Sequence, residues 1–317
     1  MGLLVEGQWH TDWYDTKSSG GEFIRQDAQF RKVITADGSN GSFKAEPGRY
    51  HLYVSLACPW AHRTLIFRKL KQLEKLIGVT IVKPEMLEHG WELADDGDAG
   101  PIPNIRYLHQ VYTTAEPHYS GRVTVPVLWD KQTNSIVNNE SSEIIRMMNT
   151  AFNAFTEVKT DYYPPEQRGA IDEVNTLVYD NINNGVYKCG FATTQAAYEK
   201  AYRALFQALD EVEQRLGQQP YLAGPGITEA DWRLFTTLIR FDSVYFGHFK
   251  CNRQQIEQYP KLSNYLRELF QYPGVAETVD FDHIKTHYYY SHDSINPTRV
   301  IPLGPNIDYL RPHNRPA

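Results

Sequence analysis

Cys58-Pro59-Trp60-Ala61 sets one cysteine between two different patterns. Before it, Tyr50-His51-Leu52-Tyr53-Val54-Ser55-Leu56 reads as a buried strand by its aromatic and β-branched content. After it, Leu65-Ile66, Leu70, Leu73 and Leu76-Ile77 recur at helical spacing. The first N–H groups of a helix have no partner within it, and the helix dipole puts partial positive charge there. A thiol at that point is stabilised as the thiolate, with a pKa of ~3.5–7.5 against ~8.5 for free cysteine. Pro59 suits the first helical turn. Ala61 stands where a second thiol would complete a dithiol motif. A disulfide made at Cys58 therefore needs an external thiol to resolve it. The alternative is a buried structural cysteine, a small hydrophobe.

Two further patterns bear on that thiol. Val123-Thr124-Val125-Pro126-Val127-Leu128-Trp129-Asp130 reads as a strand with an internal proline. Proline cannot donate to a ladder, so it needs an edge, a strand start or a cis turn. Asn139-Glu140-Ser141-Ser142 opens a helix over 143–148. A hydroxyl at a helix N-terminus binds a carboxylate, and an adjacent acid binds an ammonium. An ordinary edge-strand proline and plain helix capping remain the alternatives.

The elements that must hold these residues follow from periodicity. A strand at 50–56, a helix over 60–77 and a strand at Val79-Thr80-Ile81-Val82 make a βαβ unit with a parallel pair. Residues 84–104, interrupted by Trp91, read as loop, and a short helix follows near 106–113. Ser135-Ile136-Val137 pairs with the proline-bearing strand. This order is that of a thioredoxin-like half, in which a cis-proline strand faces the active thiol. Residues 1–48, with turn clusters at Ser18-Ser19-Gly20-Gly21 and Gly38-Ser39-Asn40-Gly41, read as an extended arm packed through Trp9, Trp13 and Phe30.

After about 150 only helical spacing remains. Ile171, Val174, Val178 and Ile182 share one face; Tyr198, Tyr202, Leu205, Leu209, Val212 and Leu216 share another. Thr228 with Asp231 three residues on is a capping box ahead of Trp232, Phe235, Leu238 and Ile239. Pro260 opens a helix that Pro273-Gly274 stops. The expected division is an arm at 1–48, a thioredoxin-like α/β domain at 49–155, and an all-helical domain with a C-terminal extension at 156–317.

Composition excludes several classes. The 317 residues carry 32 Lys plus Arg against 38 Asp plus Glu, a net −6, which argues against nucleic-acid and anionic-membrane surfaces. An apolar share of 41% supports a core. No apolar run approaches the ~20 residues of a membrane span. Three cysteines rule out a disulfide scaffold and favour a reducing compartment. With Glu6 where a myristoylation signal wants Ser or Thr, and no retention address at 314–317, a cytoplasmic protein is expected. The 21 Tyr exceed the 14 Phe, which hints at a polar aromatic cavity.

Together, Ala57-Cys58-Pro59-Trp60-Ala61-His62-Arg63, the Thr-Val-Pro-Val-Leu-Trp-Asp strand, Asn139-Glu140-Ser141 and the tail His287-Tyr288-Tyr289-Tyr290-Ser291-His292 with Ile295-Asn296-Pro297 resemble the glutathionyl-hydroquinone reductases, the Xi class of glutathione transferases. The resemblance runs from about 43 to 305. It implies a thioredoxin-like domain followed by the all-helical glutathione transferase domain, with glutathione as co-substrate and glutathionylated hydroquinones as partners. It implies Cys58 as nucleophile. The glutathione site would use Trp91 as an aromatic wall, Arg122 for a carboxylate, Val125 for backbone pairing, and Glu140 and Ser141 for the γ-glutamyl end. The electrophile pocket would use Tyr187, Tyr245 and Tyr288, which gives the tyrosine surplus a use. The resemblance also implies a homodimer, and no nucleic acid or membrane partner.

Other features are set aside. His283 and His287 have zinc-like spacing, but no His-Glu-x-x-His and no third ligand accompany them, so no metal is expected. Cys189 and Cys251 lack a local motif and read as structural thiols. Arg63, Arg68, Lys69, Lys71 and Lys75 read mostly as a solvated face, with Arg63 adding positive potential near the thiol. Two alternatives stay open: an omega-like thioltransferase or dehydroascorbate reductase, and a non-catalytic binding module of the same fold.

Overall fold

The computed structural model describes residues 2–94 and 100–315. The part of the expected loop at 95–99 and the last two residues of the terminus lie outside the described residues. The chain forms two compact units, Met1–Trp13, Gln26–Thr160 and Thr278–Ser291 in the first, and Tyr14–Arg25, Asp161–Glu277 and His292–Ala317 in the second. The arm is thus divided between the units, and a helix from the far end of the chain belongs to the first.

The first unit opens with a hairpin, β1 (Leu3–Val5) and β2 (Gln8–His10), so the arm is less irregular than its composition suggests. Its turn has Glu6 at φ 47° and Gly7 at φ 76°, the left-handed pair that a two-residue hairpin needs. A Cβ on Gly7 would fall 2.0 Å from the Pro117 carbonyl oxygen, so that position takes only glycine. β3 (Ile34–Thr35) pairs with β4 (Phe43–Lys44).

The main sheet then builds on β5 (Tyr50–Val54), all five residues of which are buried. α1 (Pro59–Leu70) crosses over to β6 (Ile77–Leu87), which pairs with β5 in parallel from Tyr50 opposite Ile77 to Val54 opposite Ile81. The helix stops short of the expected residue 77. The Lys71 amide closes on the Phe67 carbonyl, and Gln72 turns left-handed at φ 53°. Leu73 is still fully buried, but from the turn.

β7 (Gly90–Leu93) adds antiparallel to β6. The loop expected from 84 onward is therefore a strand pair as far as Leu93. Pro84 is tolerated because the register shifts between Val82 and Met86, where a missing donor breaks no ladder bond. α2 (Leu108–Ala115) and the short β8 (Gly121–Arg122) follow. β9 (Val127–Asp130) starts only after Pro126, four residues later than expected. β10 (Ser135–Asn138) completes the order β10-β9-β5-β6-β7, and α3 (Ser141–Thr150) packs beside α1.

The second unit is helical, with no strand among its described residues. α4 (Arg168–Val178) runs through one π-helical turn, Tyr179–Asn183, towards α5 (Gly185–Gly190). α6 (Gln195–Gln218) buries Leu205, Leu209, Val212 and Leu216 of the face read from its spacing, whereas Tyr198 and Tyr202 in its first turns are only half-buried. α7 (Glu229–Arg240) passes into a second π turn, Phe241–Tyr245, and α8 (Pro260–Gln271) begins on the expected proline. α9 (Phe281–Ser291) returns to the first unit and lies against β6. No described helix is long and apolar enough to cross a membrane.

Candidate active site

Cys58 is the N-cap of α1 and Pro59 its first residue. The turn leading to it is set locally. The Ala57 amide donates to the Ser55 hydroxyl at 3.2 Å and the Cys58 amide to the Ser55 carbonyl at 3.2 Å. The Cys58 carbonyl accepts the first intrahelical bond from the His62 amide, at 2.9 Å. The thiol is half-buried and makes no capping bond. The amides of the first turn therefore point towards a group that can carry charge.

The Val125–Pro126 peptide is cis, and the Val125 carbonyl lies 3.6 Å from Cys58 Sγ, positioned to accept from the thiol. The preceding residue is pinned from both sides. Tyr112 donates its hydroxyl to the Thr124 carbonyl at 2.8 Å and accepts from the Thr124 amide at 3.2 Å. Asn139 Nδ2 donates to the same hydroxyl. Tyr112 is a support that the sequence did not single out. Only the fold brings it to the proline turn.

At the start of α3, Glu140 is the N-cap, and its Oε1 accepts from the Ser142 amide at 2.9 Å and the Ser142 hydroxyl at 2.8 Å. The capping alternative thus holds for that oxygen. The buried Ser141 hydroxyl accepts from Arg63 Nη1 at 3.3 Å. Arg63 is not on a solvated face. It is 1% exposed, with its guanidinium 4.5 Å from the centre of the Trp60 ring. Arg122 is occupied by the arm, donating to the carbonyls of Asp12 at 2.5 Å and Trp13 at 2.8 Å.

Trp91 is buried on β7 and stacks on His287 with ring centres 4.7 Å apart and planes 22° from parallel. Of the three consecutive tyrosines on α9, Tyr288 is buried at 1% exposure, and Tyr289 and Tyr290 are half-buried. The two histidines with zinc-like spacing go to separate partners. His283 Nε2 faces the Ser55 hydroxyl at 3.3 Å, and His287 Nδ1 the Pro84 carbonyl at 3.0 Å. No cluster of three metal-ligating side chains occurs among the described residues.

The first unit thus holds Cys58, Trp91, Arg122, Val125, Glu140, Ser141 and Tyr288; the second holds Tyr187 and Tyr245. Tyr245 closes the second π turn, a helix irregularity common at functional sites, and Tyr187 lies on α5, just after the first. Their rings are 6.0 Å apart, and Phe249 lies 5.5 Å from both. The Arg25 guanidinium lies over the Tyr187 ring at 4.9 Å, its Nε donating to Asn184 Oδ1 at 2.8 Å. No sequence signal marked Arg25 or Phe249.

Residues 57–151 match the family model for the glutathione S-transferase N-terminal domain, and residues 195–268 that for the C-terminal domain. Glutathionyl-hydroquinone reductase YqjG of Escherichia coli is 56% identical, over 99% of this chain and 98% of that one. The chain belongs to the Xi class of glutathione transferases, the glutathionyl-hydroquinone reductases. A second reductase of the class, PcpF of Sphingobium chlorophenolicum, is 52% identical over 96% of each chain. The glutathione-bound structure of YqjG superposes with a TM-score of 0.90 over 99% of both chains, at 52% identity over the aligned structures. The Xi-class enzyme of Natrialba magadii does so with 0.91, at 45% identity, over 99% of this chain and 96% of that one. The class therefore pairs a thioredoxin-like domain with a helical one in this chain too.

Proposed function

We propose that the protein reduces glutathionyl-hydroquinones to hydroquinones, with glutathione as co-substrate and glutathione disulfide as the second product. One observation carries this reading: a cysteine at a helix N-terminus, 3.6 Å from the carbonyl that precedes a cis-proline. The Cys58 thiolate attacks the sulfur of the thioether. The S–S bond of a Cys58–glutathione mixed disulfide forms, the sulfur–ring bond breaks, and its electron pair passes to the ring. A proton must then arrive at ring carbon, which is easiest when a ring hydroxyl lets the substrate react as its keto tautomer. The hydroxyls of Tyr187, Tyr245 and Tyr288 hold and polarise that oxygen, an acid contribution of ~10²–10⁴-fold. A second glutathione attacks the mixed disulfide, leaves as glutathione disulfide and frees Cys58, a ping-pong cycle.

In the same reading Trp91 walls the tripeptide, Val125 pairs with its backbone, and Arg122 meets a carboxylate. Ser141 and the start of α3 take the γ-glutamyl carboxylate, and Glu140 takes its ammonium. The enzyme works as a homodimer in the cytoplasm. Its three cysteines, all free thiols, favour a reducing compartment.

Mass spectrometry after mixing with glutathionyl-menadione tests the first half-reaction. One glutathionyl adduct on Cys58 is expected, and Cys58→Ser should lower turnover at least ~10³-fold. Turnover that survives Cys58→Ser overturns the mechanism. Faster reduction of simple glutathione mixed disulfides than of glutathionyl-menadione would favour an omega-like thioltransferase instead. Tyr245→Phe turning over at the wild-type rate would remove the acid role of that tyrosine.

A further inference from the structure

The histidine set aside as half of a zinc-like pair has a more specific environment than spacing suggests. His287 lies between two residues of the proposed site. One face of its ring stacks on Trp91, and its neighbour Tyr288 meets it edge-on with ring centres 5.1 Å apart and planes at 74°. All three side chains are at most 5% exposed. A carbonyl oxygen only accepts, so the 3.0 Å contact with Pro84 requires the proton of the neutral ring on Nδ1. That bond fixes the rotation of the imidazole against β6. One turn on, Ser291 Oγ accepts from the Met86 amide at 2.9 Å and ties α9 to the same strand.

Trp91 has no comparable anchor. Its buried indole N–H finds no acceptor among the described residues. A ring with no directional bond of its own takes its plane from what it stacks on. From this arrangement we infer that His287 is a positioning residue: anchored on Pro84, it sets the plane of Trp91 for glutathione and couples that wall to Tyr288. The inference rests on the proposed role of Trp91.

The test uses the full-length protein and S-methylglutathione, a thioether that carries no leaving ring. Trp91→Ala, His287→Ala, His287→Phe and His287→Asn are compared by calorimetric binding and by kinetics with glutathionyl-menadione. His287→Ala should weaken S-methylglutathione about tenfold and raise KM for glutathionyl-menadione to match, with kcat within about threefold of wild type. His287→Phe keeps a flat ring without the Pro84 bond and should recover only part of the binding, the remaining deficit being the share of that anchor; full recovery by Phe overturns the anchoring role. His287→Asn keeps a donor without a ring and should not. Wild-type binding by His287→Ala, a fall in kcat at unchanged binding, or better recovery by Asn than by Phe overturns the inference. If His287→Ala does not fold, the Phe and Asn variants decide. Weak binding by Trp91→Ala with full binding by His287→Ala defeats the positioning role alone. Full binding by Trp91→Ala shows that the wall itself was misread, and the inference falls with it.

Discussion

Two helix starts in this molecule solve the same problem in opposite ways. At α7, Thr228 and Asp231 close a capping box, and Asp231 is completely buried. Its Oδ2 accepts from the Thr228 amide and hydroxyl, at 2.8 and 3.0 Å. Its Oδ1 accepts from the Leu222 amide at 3.0 Å and the Tyr265 hydroxyl at 2.8 Å. Burial pushes this carboxyl's pKa up, and the four donors pull it back. At α1 the capping position holds a half-buried thiol whose side chain makes no capping bond. A helix start filled by its own carboxylate has no room for another anion, whereas one that ends in a thiol can carry the charge itself. The first arrangement closes its helix start, and the second leaves it open to the charge that the proposed function asks of Cys58.

The contrast can be broken most sharply through the thiols. Cys58 should react with iodoacetamide at pH 6 at least ~10³-fold faster than Cys189 or Cys251. Both of these are buried, and burial with the Cys189 contact pushes the Cys251 thiol well up. Equal rates, read by peptide mapping over time, would remove the special status of the α1 start. At the other helix, Asp231→Ala strands several buried donors and should cost about 3 kcal/mol of stability in urea unfolding. Folded variant should still label at Cys58 at the wild-type rate. A loss below about 1 kcal/mol would show that the capping box is not the structural element described.

The smallest expected effect compares the two units through pH. Burial pushes His51 of the first unit and His248 of the second down to about 4. Both are neutral in the folded protein at pH values where the unfolded chain, with a histidine pKa near ~6.5, binds protons. Stability is therefore greatest above about 6.5 and falls as pH drops towards 4. Each histidine should account for about 2 kcal/mol lost between pH 7 and pH 5. Urea unfolding of His51→Gln and His248→Gln at both pH values checks this. Either variant keeping the wild-type pH dependence would contradict the burial of that ring.

What the sequence disclosed follows the range of the signal. The α1 start, the Thr228–Asp231 box and the Pro260 start are written within a few neighbouring residues and were legible. The β6–β7 pair was not, because Pro84 and Gly90 look like breakers until a register shift accommodates them. At the site, Cys58 and Val125-Pro126 carried local patterns. The choice of Tyr288 over Tyr289 and Tyr290 depends on which side of α9 is buried, and His287 meets a carbonyl 203 residues away. Lys71 shows the reverse error. A basic residue amid basic neighbours reads as solvated, but at the end of α1 it is fully buried and its Nζ donates to the Thr160 carbonyl at 2.7 Å.

The return of α9 to the first unit has a consequence for how the protein is made. The whole of Asp161–Glu277 is translated before the helix that covers β6. A nascent chain therefore carries Cys58 long before His283 and Tyr288 leave the ribosome. Cutting the gene at the apparent end of the α/β domain would yield a fragment with an uncovered strand face, so this half cannot be transplanted as a free-standing module.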